Sequence, residues 1–227
     1  MDARELLEAE RETERRFVAA AMAVAAGDEP KGWPAALIMF HLAQWRGRLR
    51  RSLTDHRDGR SYEPLPADID AFNDAELPEG AHVSLREAAS RADAELVTLI
   101  GLAALDGPFA WGLTNTSSEA LLRNSYIHPR NHIAQYLKEN GDERAAQELL
   151  EATASELRKV SAPPSILGAA LYNLACVRAA QDRRSDALDL LEEMAPMRPD
   201  LRTAAARDAD LTALRGEVRF QTIVTAP

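Results

Sequence analysis

Two histidines, His128 and His132, stand four residues apart in the segment SYIHPRNHIAQYL, which begins at Ser125. On an α-helix, side chains four residues apart project from one face, so the two imidazoles would lie side by side. Gln135 follows at the next turn, and Leu121 extends the stripe backwards, all within roughly 80° of arc. Such a stripe could bind a metal ion through imidazole nitrogens, or it could be a polar seam inside a helical bundle.

A third histidine, His41, extends this pair to a candidate triad. It lies at the edge of the apolar face of a predicted helix, whereas His56 and His82 lie in polar loops and are predicted to be surface residues. Imidazoles from two helices would leave coordination positions open for water or substrate, as in catalytic zinc sites. The alternative is that His41, His128 and His132 are separate core or boundary histidines, each satisfied by hydrogen bonds.

Other polar residues are weaker candidates for a site. Asn73, Trp111 and Asn115 could line a pocket at one end of a bundle, but ordinary loop and capping roles also explain them. Cys176 is the only cysteine, which excludes an internal disulfide, and its place in a predicted repeat helix favours a small buried residue over a reactive thiol. No separate general base stands out, so the sequence assigns no catalytic residue.

Two runs of charged residues are predicted to be solvated faces of the first two helices. An anion-binding role for the basic run is the alternative. The acidic run consists of Glu8, Glu10, Glu12 and Glu14, and the basic run of Arg46, Arg48, Arg50 and Arg51.

Composition limits the classes of partner. The chain is 46% hydrophobic, is rich in the helix formers Ala, Leu, Arg and Glu, and carries a net charge of −9. A negative field of this kind repels phosphate backbones and anionic lipids, so we expect no nucleic-acid or membrane partner. The charged N-terminal segment has no apolar core of a signal peptide, and no apolar run reaches the ~20 residues of a membrane span, so we expect a cytoplasmic location.

Hydrophobic periodicity predicts four helices that would position the histidines. Gly27, followed by Pro30, ends the first, and capping boxes begin at Ser84 and Thr116. The four helices cover residues 3–26, 34–54, 85–104 and 116 onward. The non-periodic stretch 55–83 is long enough to be functional rather than a simple connector, and it is predicted to contain one short helical turn near Phe72.

Pro129 conflicts with a helix that begins at Thr116 and carries both histidines. A proline inside a helix removes one backbone donor and clashes with the preceding turn, at a cost of ~3 kcal/mol or a kink. Either the helix kinks, or two helices meet at His128. The kink is favoured because the stripe from Leu121 to Gln135 stays in phase across the proline.

Beyond residue 140, short helices alternate with tight turns, at about 143–160, 165–181 and 185–194. Ala134 and Ala146, like Ala175 and Ala187, are twelve residues apart across a turn, a spacing that lets two antiparallel helices approach closely. The segment from 171 to 200 resembles a tetratricopeptide repeat, with Arg178 and Met194 as departures. Its matching positions are Leu171, Leu174, Ala175, Ala187, Leu191 and Pro199. The tail, from Asp208, is predicted to be a capping helix.

The motif HLAQW, which begins at His41, and the late motif H-x-x-x-H-x-x-Q resemble the DinB-like superfamily of four-helix bundles. That superfamily includes metal-dependent thiol transferases and mycothiol-dependent maleylpyruvate isomerases. The resemblance implies a divalent metal (zinc, nickel or iron) on His41, His128 and His132, and a low-molecular-weight thiol as cofactor.

A second resemblance points to the branch of this superfamily that contains the colibactin self-protection protein. It rests on Trp33, on the segment AFNDA around Asn73, and on NTSSEALLRNSYIHPRNHI, which begins at Asn115. In that branch the metal triad is not reliably kept, so this resemblance argues against assuming a metal.

Together these patterns predict an all-α protein with a DinB-like four-helix bundle at 1–140 and a short tetratricopeptide-like helical module at 141–227. One functional hypothesis is a metal-dependent thiol S-transferase or hydrolase that acts on a small electrophile. Another is a non-catalytic module that binds a small-molecule ligand, or a protein partner through the repeat segment. A third is a degenerate superfamily member whose role is mainly oligomerisation, and a homodimer is possible.

Overall fold

The computed structural model describes residues 2–23 and 30–225, and most of these residues are helical. The predicted all-α class is therefore confirmed. The chain forms two compact units, residues 1–146 and 147–227. The boundary lies inside helix α7 (Glu143–Lys159), six residues beyond the end of the last predicted bundle helix near Asn140. Among the described residues, no helix combines the length and hydrophobicity needed to cross a bilayer.

The described part of the first unit begins with α1 (Ala3–Ala23), α2 (Ala35–Arg57), α3 (Ile69–Gly80) and α4 (Leu85–Leu102). Helices α1, α2 and α4 each bury several apolar side chains, whereas the one buried residue of α3 is Gly80. Helices α2 and α4 pack closely, and α1 lies against α4. The apolar face of α2, formed by Ile38, Leu42, Trp45 and Leu49, is buried. The predicted stop of α1 at Gly27 lies outside the described residues.

Two connections are more regular than the sequence pattern predicted. The expected short turn near Phe72 is the twelve-residue helix α3, which begins where the side chain of Asp68 accepts a hydrogen bond from the backbone N–H of Ala71. The stretch between the predicted helices 85–104 and 116 onward contains an antiparallel hairpin of β1 (Pro108–Trp111) and β2 (Thr114–Thr116). Gly112 turns between these strands with a φ of 63°, a conformation that suits glycine.

The last helical stretch of this unit runs without a break from Ser117 to Glu139 in three parts. They are α5 (Ser117–Leu122), a π-helical turn (Arg123–Ile127) and α6 (His128–Glu139). The capping box at its start is present: Thr116 Oγ1 accepts from the N–H of Glu119, and Glu119 Oε2 accepts from the N–H of Thr116. This stretch carries two of the three candidate metal ligands.

In the second unit the described residues form the rest of α7, four further α-helices and one 3-10 helix. Helices α8 and α9 pack as a hairpin, with Ala175 and Ala187 fully buried. The observed bounds agree with the predicted ones within one residue: α7 (Glu143–Lys159), α8 (Pro164–Ala180) and α9 (Arg184–Met194). They are followed by α10 (Pro199–Ala205), a 3-10 helix (Ala209–Leu214) and α11 (Val218–Thr225), so the predicted capping helix is two short helices.

Candidate metal centre

The three predicted ligands converge at one point of the first unit. Helix α2 supplies His41, and α6 supplies His128 and His132. The Nε2 atom of His128 lies 3.1 Å from Nε2 of His41 and 3.0 Å from Nε2 of His132. One ligand nitrogen from each ring lies within 4.8 Å of the other two. Ligands on a shared ion with Zn–N bonds of ~2.0–2.1 Å stand about 3.0–3.4 Å apart, so the two spacings from His128 fit a common ion.

The π-helical turn explains how Pro129 is accommodated between the paired histidines. The backbone N–H of His128 donates to the carbonyl of Arg123, five residues back, and Pro129 occupies the first turn of α6. The wider turn ends where proline lacks its donor, and the first turn of a helix tolerates that loss. The two predicted alternatives, a kink or a junction of two helices, are replaced by a continuous helix with one π turn. Such turns often mark functional sites.

The predicted polar stripe is buried at its start and exposed at its end. Leu121 and Ser125 are fully buried, as the stripe required. Gln135 is exposed, and its amide donates to Glu139 Oε1 at 2.9 Å. Gln135 therefore lies outside the cluster, and the prediction that it continues the stripe is wrong.

Aromatic rings surround the imidazoles. The indole of Trp33 stacks on His132, with ring centroids 5.3 Å apart and an angle of 13° between the ring planes. The same indole contacts His41 edge-on, with ring centroids 5.3 Å apart. Trp45, on the same helix as His41, also contacts it edge-on, with ring centroids 6.3 Å apart. His41 is buried, whereas His128 and His132 are partly exposed. The cluster thus has an apolar wall and a more accessible side.

All three imidazoles are held neutral by their surroundings. Burial, with a smaller effect of the neighbouring His132, lowers the pKa of His41 to about 3. Burial lowers the pKa of His132 to about 4, and it lowers the pKa of His128 well below its ordinary value. A neutral imidazole has a lone pair available for a metal, so the protonation state suits coordination.

Hydrogen bonds among the rings cannot satisfy the cluster. A neutral imidazole nitrogen either donates one hydrogen or accepts one. Nε2 of His128 faces two other nitrogens, so it can pair with only one of them at a time. A divalent ion would use all three lone pairs together. The donor set therefore fits a metal better than the alternative of three histidines satisfied by hydrogen bonds.

A buried network of charges fixes α6 behind the histidines. The carboxylate of Glu10 on α1 accepts from Nε of Arg130, a residue between the two histidines. Glu14 accepts from Nη1 of Arg46 at 2.8 Å, and Arg46 Nη1 also donates to the carbonyl of Ala92 on α4. The prediction that these glutamates and Arg46 are solvated is wrong, because each finds its opposite charge inside the unit.

The sequence held a signal for this network. Leu7, Glu10, Glu14 and Phe17 follow the spacing of a heptad seam, in which core residues recur at steps of three and four. All four are buried. Acidic residues at seam positions of an amphipathic helix predict buried partners, although they do not say which basic residues those are.

The weaker candidates are placed as follows. Asn73 Oδ1 accepts from Nε1 of Trp45 at 3.0 Å, and Trp111 packs edge-on against Trp45 at 6.3 Å. Asn115 does not join them, and its N–H donates to Glu119 beside the capping box. Cys176 lies in the second unit and is half-buried.

His56 and His82 are exposed, as predicted, but His56 lies in the last turn of α2 and not in a loop. His56 packs against Phe109 of the hairpin, with ring centroids 5.2 Å apart. Neither belongs to the cluster of three. His56 therefore offers a matched control for substitutions within the triad.

Comparisons with protein-family models, curated proteins and solved structures found no match for this chain.

Proposed function

We propose that the first unit is a DinB-like helical bundle that binds one divalent metal ion, zinc, nickel or iron, through His41, His128 and His132. The observation that carries this proposal is the convergence of the three Nε2 atoms, with separations of 3.0 and 3.1 Å on either side of His128. The resemblance of the HLAQW and H-x-x-x-H motifs to the DinB-like superfamily gives independent support.

The composition of the ligand set narrows the chemistry. Among the described residues, the cluster contains three histidines and no carboxylate. Three neutral ligands leave the full charge of a divalent ion uncompensated, so the site favours an anionic ligand. A bound ion of this kind supplies Lewis acidity and lowers the pKa of water or of a thiol. We therefore propose a low-molecular-weight thiol or water as nucleophile and a small electrophile as substrate.

The chain's own residues would hold and shield this site. His41, His128 and His132 direct neutral nitrogens to one point, and the indoles of Trp33 and Trp45 cover the buried side of His41. Water is thereby kept from that side, while the partly exposed rings of α6 leave an approach for substrate. Exclusion of water strengthens the electrostatic interactions within such a site.

The direct test is metal analysis of the purified full chain by mass spectrometry after expression with zinc, nickel and iron available. We expect close to one divalent ion per chain in the wild type and in His56→Ala. In the double variant His41→Ala/His132→Ala we expect almost none. A wild-type protein without metal, or a double variant that retains it, would contradict the proposal.

The second candidate is a non-catalytic module that binds a protein partner. It is favoured by the α8–α9 hairpin, whose buried Ala175 and Ala187 occupy the small-residue positions of a tetratricopeptide repeat. This candidate predicts that substitution of the three histidines leaves metal content and stability unchanged. The metal analysis above therefore separates the two proposals.

A further inference from the structure

We infer that Trp33 and Asn140 act together as positioning residues for the metal ligands. Asn140 fixes the backbone before α2, and this backbone holds the indole of Trp33 against two of the three imidazoles. The inference rests on the proposed metal function, because it concerns the orientation of the same ligands.

The side chain of Asn140 joins two parts of the first unit that are 109 residues apart in sequence. Its Oδ1 accepts from the N–H of Lys31 at 3.0 Å, and its Nδ2 donates to the carbonyl of Lys31 at 3.3 Å. Nδ2 also donates to the carbonyl of Tyr136, at 2.8 Å. The amide therefore binds both polar groups of residue 31 while it is anchored to the last turn of α6.

Gly32 makes this close approach feasible. Its φ is 70°, in the left-handed region that side chains other than glycine rarely adopt. A Cβ at this position would also collide with the carboxylate of Glu139. The path of the chain from Lys31 to Trp33 is thus fixed both by the Asn140 amide and by a residue without a side chain.

The indole of Trp33, held by this fixed backbone, restricts the orientation of His41 and His132. It lies nearly parallel to His132 and nearly perpendicular to His41, with both centroid distances at 5.3 Å. A stacked and an edge-on contact restrict ring rotation in different directions. The lone pairs of two ligands are therefore aimed before a metal arrives, and groups that orient metal ligands typically change affinity by about 10–100-fold when removed.

The test is a titration of the metal-free full chain with Co²⁺, read from its visible absorption, with a Zn²⁺ competition to obtain affinities. The variants are Asn140→Ala, Trp33→Leu and Trp33→Phe, and the control is Lys138→Ala, at an exposed position of the same helix. We expect Asn140→Ala and Trp33→Leu to weaken binding about 10-fold or more and to alter the Co²⁺ spectrum. Trp33→Phe, which retains an aromatic face, should stay closer to the wild type, and Lys138→Ala should match the wild type.

Thermal unfolding of the metal-free variants separates positioning from general destabilisation, since positioning requires loss of affinity in chains that remain folded. Wild-type affinity and spectrum in both Asn140→Ala and Trp33→Leu would overturn this inference alone. Loss of affinity only in proportion to loss of folded protein would also overturn it. A wild-type chain that binds neither ion would overturn the proposed function and this inference with it.

Discussion

Nε of Arg130 donates a hydrogen bond of 2.5 Å to Oε2 of Glu10, and both side chains are at most 2% exposed. Arg130 stands between His128 and His132 on α6, and its guanidinium also lies over the ring of Tyr126, 4.1 Å from the centroid. The helix that carries two metal ligands is thus attached to α1 by an ion pair. The position of His128 and His132 therefore depends in part on a contact with α1 that lies outside the cluster of three histidines.

Loss of one partner of this pair should be costly. Arg130→Met leaves the buried carboxyl group of Glu10 without this hydrogen-bond donor, and an unsatisfied buried polar group typically costs ~1–3 kcal/mol of the free energy of unfolding. The double variant Glu10→Met/Arg130→Met should recover much of the loss, because apolar replacements of buried pairs are often neutral. Urea denaturation of the two variants and the wild type measures both effects. A single variant within ~1 kcal/mol of the wild type would contradict the assignment.

Glu10 should also give the protein a distinctive pH dependence. Burial raises the pKa of Glu10 from 4.5 to about 8, against the opposing effect of Arg130, and its Oε1 has no hydrogen-bond partner among the described residues. Between these two values the folded chain holds a proton that the unfolded chain has lost. The contribution of Glu10 to stability is therefore full below about 4.5 and is lost as pH rises toward about 8.

The histidines act in the opposite direction, because their lowered pKa values make stability increase with pH below their ordinary value of 6.5. The measurement is therefore the difference in free energy of unfolding between the wild type and Glu10→Gln, from pH 5 to 8.5. We expect this difference to shift against the wild type as pH rises. A difference that is constant, or that favours the wild type at high pH, would show that Glu10 is ionised throughout.

Local patterns made much of the fold predictable. The apolar stripe of α2 lies within one helix, and the small-residue spacing of α8 and α9 spans one short turn, so spacing alone identifies both. The His128–His132 pair is equally local, since four residues bring two side chains to one face. His41 required more, because its approach to the pair depends on how α2 packs. Its place at the edge of an apolar face made it a candidate, and a family resemblance supported it.

Features that depend on distant partners could not be derived in the same way. Charged residues such as Glu10 and Arg46 resemble solvated positions until the opposite charge is found on another helix. The π turn before Pro129 accommodates the missing backbone donor while the surrounding helix stays packed. Helical periodicity does not predict such a turn. The Asn140–Lys31 contact is likewise invisible, because nothing in either segment indicates the other.

The second unit offers a test of close helix approach. Ala175 on α8 is fully buried, so Ala175→Leu should overpack the hairpin and cost ~1–3 kcal/mol. Ala180→Leu, at the exposed end of the same helix, is the matched control and should change stability little. Urea denaturation, followed by circular dichroism, gives both values. Equal effects at the two positions would argue against a small-residue requirement between α8 and α9.

Pro129 provides the sharpest test of the backbone beside the metal ligands. A proline strained in a helix interior should yield about 3 kcal/mol of stability when replaced by alanine. Here the π turn precedes Pro129, and the proline occupies a first-turn position, so the strain is largely absent. We therefore expect Pro129→Ala to change the free energy of unfolding by less than ~1 kcal/mol in urea denaturation of the metal-free chain. A gain of ~3 kcal/mol in the free energy of unfolding would mean that the proline strains this helix. The placement of His128 and His132 would then come at a cost in stability.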